Sequence, residues 1–63
     1  MIQELRDRID ITINEALPLE ENKWIIYGKC KQVLQDYEMQ NKFWFSPPEW
    51  SKYIIYITNK LEI

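Results

Sequence analysis

The stretch Phe43-Trp44-Phe45-Ser46-Pro47-Pro48-Glu49-Trp50-Ser51-Lys52-Tyr53-Ile54-Ile55-Tyr56-Ile57 carries the densest set of structural instructions in the chain. Ser46 and Glu49 stand at the spacing of a capping box, in which each side chain accepts from the backbone N–H of the other at a helix start. Pro47 falls at the first helical position, where its missing N–H would have had no intrahelical partner. Phe45, just before the cap, and Trp50, four residues into the helix, make the hydrophobic-staple pair that sets how the chain enters. Together they predict a helix over residues 47–62. Its core sector is Trp50, Ile54, Ile57 and Leu61, with Tyr53 beside it. Ile55 and Tyr56 fall on opposite flanks outside that sector, so this helix is apolar around most of its girth and calls for burial on more than one side.

Immediately upstream, Phe43-Trp44-Phe45 is an aromatic connection, whereas connections ordinarily run over the surface and are polar. Either it folds back over the core, as the staple at Phe45 suggests, or Trp44 projects into a partner. Before it, Ile26, Cys30, Val33 and Tyr37 recur at four, three and four, widened by Tyr27 and Leu34, and predict a helix over 20–40. Glu20 and Glu21 suit its first turn, where the helix dipole favours negative charge, and Asn41 is a candidate left-handed terminator. Gly28 costs this helix about 1 kcal/mol relative to Ala. It lies four residues after Trp24, away from the stripe, as a weak point in the helix or a notch beside an exposed Trp. Lys23-Trp24-Ile25-Ile26-Tyr27 also reads as a strand by composition, but the helical stripe continues through Tyr37, where a strand would have stopped. Its likeness to Lys52-Tyr53-Ile54-Ile55-Tyr56 is no repeat, because the matching residues fall on different faces.

At the start of the chain Ile2, Leu5, Ile9, Ile13 and Ala16 place one apolar stripe on a helix over 2–17. Glu4 and Arg8, and Arg6 and Asp10, are spaced for weak surface pairing. Pro18 ends that helix, since the residue before a proline is driven out of the helical region. The fold expected is therefore all-α, three antiparallel-connected helices in one small domain spanning 1–63. The alternative is α+β, with 24–27 and 53–58 paired as strands. The capping box at Ser46 opposes it, because a helix begun there would have to end almost at once.

A chain of 63 residues buries only about 60% of its unfolded surface, which leaves a lone protomer near the limit of stability and favours further burial against a partner. One cysteine permits no internal disulfide and suits a reducing cytoplasm. With no histidine present, the commonest general base and the usual structural zinc sets are both missing. No cofactor or metal motif occurs, and Cys30, mid-stripe, reads as core filler. No apolar run approaches the ~18 residues of a membrane span, and the acids near the N-terminus do not fit a signal peptide. A net charge of −2 with scattered Lys and Arg argues against a nucleic-acid surface.

No nucleophile and base are paired by a motif, and so small a domain has little room for a substrate pocket, so the chain does not read as an enzyme. What remains is a protein-interaction module of accessory-protein size, self-associating or docking on a larger protein. Its candidate interface residues are Trp24, Trp44, Ile55 and Tyr56, bulky apolar side chains outside the core stripes. The alternative is a small helix-turn-helix DNA binder offering Lys52, Asn59 and Lys60 from the last helix. Glu49 opposes it, standing where a phosphate would lie.

Overall fold

The computed structural model describes residues 1–63 and contains three helices and no strand: α1, Gln3–Ala16; α2, Lys23–Asn41; and α3, Pro47–Leu61. A single 3-10 turn, Leu17–Leu19, follows α1. Short connections reverse the chain twice, so α1 and α3 run parallel to each other and antiparallel to α2. Contacts near both ends of the α1–α3 seam show this register. The Ile2 N–H donates to the Tyr53 hydroxyl at 2.9 Å, and eight residues on, Asp10 accepts from the Tyr56 hydroxyl.

The start of α3 is built as its sequence predicts. Ser46 and Glu49 form the capping box, with the Ser46 N–H donating to Glu49 Oε1 at 3.4 Å, and the Ser46 hydroxyl adds a side-chain bond to the same oxygen at 2.9 Å. Phe45 meets Trp50 edge-on with centroids 6.0 Å apart, which is the staple. The other two starts differ from each other. No side chain caps α1, while Asn22 caps α2 by accepting from the Trp24 N–H at 2.8 Å. The expected start of α2 at residue 20 is thus corrected to Lys23: Pro18 draws the chain into the 3-10 turn, and Glu20 then takes a left-handed conformation, φ 56°, which interrupts the helix. At the far end Lys42 rather than Asn41 is the left-handed terminator, φ 49°. Asn41 stays helical, and its amide donates to the Tyr37 carbonyl.

The core joins Leu5, Ile9, Ile13 and Ala16 of α1 to Ile26, Cys30 and Leu34 of α2, and to Phe45, Tyr53, Ile57 and Leu61. On α1 the expected stripe is the buried one, with Ile2 partly covered. On α2 the buried row is Ile26, Cys30, Leu34 and Glu38, a strict spacing of four, so Leu34 replaces Val33 at its centre. On α3 Tyr53 is buried and Ile54 and Trp50 only partly so. Total accessible surface is 4385 Å², against about 4,400 Å² expected of a folded monomer of this mass. The protomer exposes the area of an ordinary folded monomer of its mass.

Candidate functional site

The four candidate interface residues occupy three separate places. Trp24 lies in the first turn of α2, 62% exposed, with its ring edge-on to Tyr27 at 5.6 Å. Beside it Gly28 faces open space, with nothing within 4 Å of where a Cβ would stand. Ile25 in the same turn is also exposed, as are Leu17 and Leu19 on the connection from α1. A shallow polar depression next to it, lined by Thr12, Glu15, Leu19 and Glu21, is closed on one side by the Lys29–Glu21 ion pair at 2.7 Å.

Trp44 lies at the opposite end. From residue 24 to residue 41 a helix rises about 26 Å at 1.5 Å per residue, so the two tryptophans cannot share one contact patch. Trp44 is 74% exposed, the highest value among the large apolar side chains. Its neighbours explain why it points away. Phe45 is buried and stacks on Tyr37 at 5.9 Å, while Phe43 meets both Tyr37 and Phe45 edge-on. The backbone is tied as firmly: the Lys42 and Phe43 N–H groups both donate to the Glu38 carbonyl, and the Phe45 N–H donates to the Glu38 carboxylate at 2.9 Å. Three donors of the connection therefore converge on one residue, with Phe45 buried beside it and Phe43 packed on the rings of Phe45 and Tyr37 from the surface. Trp44 is held out on a fixed loop.

Ile55 and Tyr56 form the third place, on α3, and there the two residues have different surroundings. Ile55 is exposed. Tyr56 is partly covered and engaged within the protomer: its hydroxyl donates to Asp10 Oδ1, and the Arg6 guanidinium and the Lys60 ammonium approach its ring, 5.1 and 5.6 Å from the centroid. Lys60 also approaches Asp10 at 3.8 Å. This cluster locks α1 to α3 by cation–π and charge-assisted contacts. Arg6, expected to pair with Asp10, instead stacks on the tyrosine, whereas Arg8 and Glu4 do pair, at 3.2 Å. Of the three side chains that the DNA-binding alternative would use, Lys60 is thus paired within the protomer at its surface; Glu49, which opposes that alternative, is tied to the cap of α3.

Next to this cluster runs an open groove of about 430 Å³ lined by Met1, Lys52, Ile55, Tyr56 and Asn59. Sequence reasoning missed it, because Met1 and α3 meet only through the parallel packing of α1 on α3. It also missed Glu38, 4% exposed, although the row of four-residue steps through Ile26, Cys30 and Leu34 leads directly to it. Elsewhere the chemistry is sparse. No three acidic or cysteine side chains converge on a point. Burial pushes the Cys30 thiol up to about 11, so it stays protonated and unreactive at neutral pH. No helix is long and apolar enough to cross a membrane. Compared with family models, with curated proteins and with solved structures, the chain finds no match in any of the three.

Proposed function

We propose that this chain is a small protein-interaction module, an accessory protein that acts by associating with another copy of itself or by docking on a larger protein. One observation carries the reading: eleven large apolar side chains are exposed, as many as the eleven residues of the core. The protomer has the surface area of an ordinary monomer, so the surplus lies in what that surface is made of. Isolated exposed apolar residues are normal. Two solvent-exposed tryptophans are less so, because Trp is the side chain most enriched at binding hot spots. The cytoplasm suits the single unpaired and buried cysteine, since a reducing compartment makes no demand for disulfides.

The test begins with molar mass by light scattering across concentration, and with a photo-crosslinker placed at position 24 or 44 in cells. Association, or capture of one defined protein that a second apolar-to-charged substitution beside the crosslinker abolishes, supports the reading. Trp24→Ala and Trp44→Ala should keep parental helicity and melting, and the one at the interface should weaken association about 30-fold, the effect of a ~2 kcal/mol hot spot. A chain that stays monomeric at all concentrations and captures nothing from either position would sink it.

A further inference from the structure

Three cationic side chains flank Tyr56. Lys52 and Lys60 lie one turn before and one turn after it on α3, at the spacing of helix neighbours. From α1 the Arg6 guanidinium lies over the ring, 5.1 Å from its centroid. Counter-charge is short here. Asp10 already accepts from the Tyr56 hydroxyl and pairs with Lys60, and Glu49, beside Lys52, is tied to the start of α3. Arg6 and Lys52 take part in no ion pair. Neither they nor the Asn59 side chain make a hydrogen bond within the fold. Arg6 Nε is the one buried side-chain polar atom of the chain without a partner. The two terminal nitrogens of the same guanidinium are not buried, so a fork of donors is held on an aromatic ring with its outer edge open. Such a fork matches a carboxylate through two parallel bonds.

Tyr56 also lines the open groove, whose other walls are Met1, Lys52, Ile55 and Asn59. That lining holds a cation and apolar side chains but no acid. We propose that the groove receives an acidic–apolar segment of a larger partner protein, with an Asp or Glu carboxylate on the Arg6 fork and an adjoining aliphatic side chain against Met1 and Ile55. Lys52 adds its charge to the attraction, and the Asn59 amide is free to bind the backbone of the segment. The inference rests on the docking form of the interaction reading above and names its surface and the chemistry of its partner. Charge complementarity selects this occupant. A partly buried cation is satisfied where a carboxylate meets it, and Arg6 meets none inside the protomer. A bare phosphate would use the cations and leave Met1 and Ile55 in water. A nucleic acid asks for a basic excess, which a chain of net charge −2 does not offer. The contact with Tyr56 also orders the Arg6 side chain before any partner arrives, so less freedom is lost on binding.

The experiment selects random peptides displayed on phage against the parent chain, then measures the enriched sequences as synthetic peptides by fluorescence anisotropy. Enriched sequences should carry Asp or Glu beside Leu, Ile or Val and bind with Kd on the order of 10–100 μM. Lys52→Glu, at an exposed position, should weaken such a peptide by about 10-fold or more. Arg6→Gln should do the same, as should exchange of the peptide's acid for its amide. Lys23→Glu makes an equal change of charge at the exposed start of α2 and should leave binding unchanged, which separates the groove from long-range attraction. If Arg6→Gln, which also loses its contact with Tyr56, melts early, Lys52→Glu carries the test. Selection that enriches no acidic–apolar sequence, or peptides that bind the Lys52→Glu chain as well as the parent, overturn the proposal. The interaction module then still stands or falls separately, on molar mass and on crosslinking at positions 24 and 44. Displacement of the peptide by millimolar inorganic phosphate at constant ionic strength marks a bare anion site, and tighter binding of short duplex DNA to the groove marks a nucleic-acid surface; either overturns the proposal. So does a parent dimer that Lys52→Glu dissociates, which gives the groove to a second copy.

Discussion

Glu38→Ala should be among the most damaging single substitutions in this protein, although nothing about a glutamate late in a helix marks it as structural. Its carboxylate accepts from the Phe45 N–H in a buried setting. Removing it deletes a hydrogen bond to a charged group, about 1.5–3 kcal/mol, and leaves that N–H without a partner. Loss of the side-chain methylenes adds packing loss at a site only 4% exposed, so roughly 2–4 kcal/mol is expected in all. A 63-residue domain has a total stability on the order of 3–9 kcal/mol, and 1 kcal/mol moves the midpoint of so small a chain by about 4–8 °C. Glu38→Ala should then melt about 8–30 °C below the parent. Glu38→Gln keeps an acceptor of the same reach without the charge and should fall about half as far. The assay is thermal and urea denaturation followed by far-UV circular dichroism, with near-UV signals reporting the aromatic cluster around Phe45. If Glu38→Ala melts within about 2 °C of the parent, well under the shift of even 1 kcal/mol, the carboxylate is not what ties the connection to α2.

Four further expectations follow the same logic. Ser46→Ala removes the hydroxyl bound to Glu49 and should destabilise by about 0.5–2 kcal/mol; unchanged urea midpoints would show that Pro47 and the staple suffice to start α3. Gly28→Ala should stabilise by about 0.4–1 kcal/mol, because the position is helical and a Cβ there meets nothing within 4 Å, so the gain in unfolded-state entropy is not offset by strain; a lower melting temperature would contradict the open space beside Trp24. Tyr56→Phe should cost about 1.5–3 kcal/mol by removing the bond to the Asp10 carboxylate, and a double-mutant cycle with Asp10→Asn should show strong coupling if the two residues act together. Cys30 bears on alkaline stability: burial pushes its thiol from the ordinary 9.0 up to about 11. The folded state thus holds its proton where the unfolded state releases it, so this contribution is intact below pH 9 and is lost as pH rises towards 11. Iodoacetamide at pH 8 should label it only as fast as the chain opens, and rapid labelling of native protein would contradict its burial.

The three helices were legible from the sequence because their signals are local. A capping box, a proline at the first turn and an apolar stripe each act over three or four residues, and Ser46, Glu49, Phe45 and Trp50 meet as their spacing says. Where several local signals compete, sequence was a weaker guide. Glu20 and Glu21 suit a helix start as well as Asn22 does, and only the geometry left by the 3-10 turn at Pro18 selects Asn22.

Long-range placement decided the rest. The periodicity of α3 puts Tyr56 outside the core sector, yet the parallel packing of α1 brings Arg6 and Asp10, 46 or more positions away, against its ring and hydroxyl. Ile55, one residue back, receives no such neighbour and stays open. The identity of the side chain sets what can be buried or satisfied. Which flank finds a partner depends on the helix laid beside it, and that is a property of the assembled bundle. Glu38 is the sharpest case: a charged residue can be buried only where a donor reaches it, and here the donor is the Phe45 N–H, on a connection that turns back over it seven residues later.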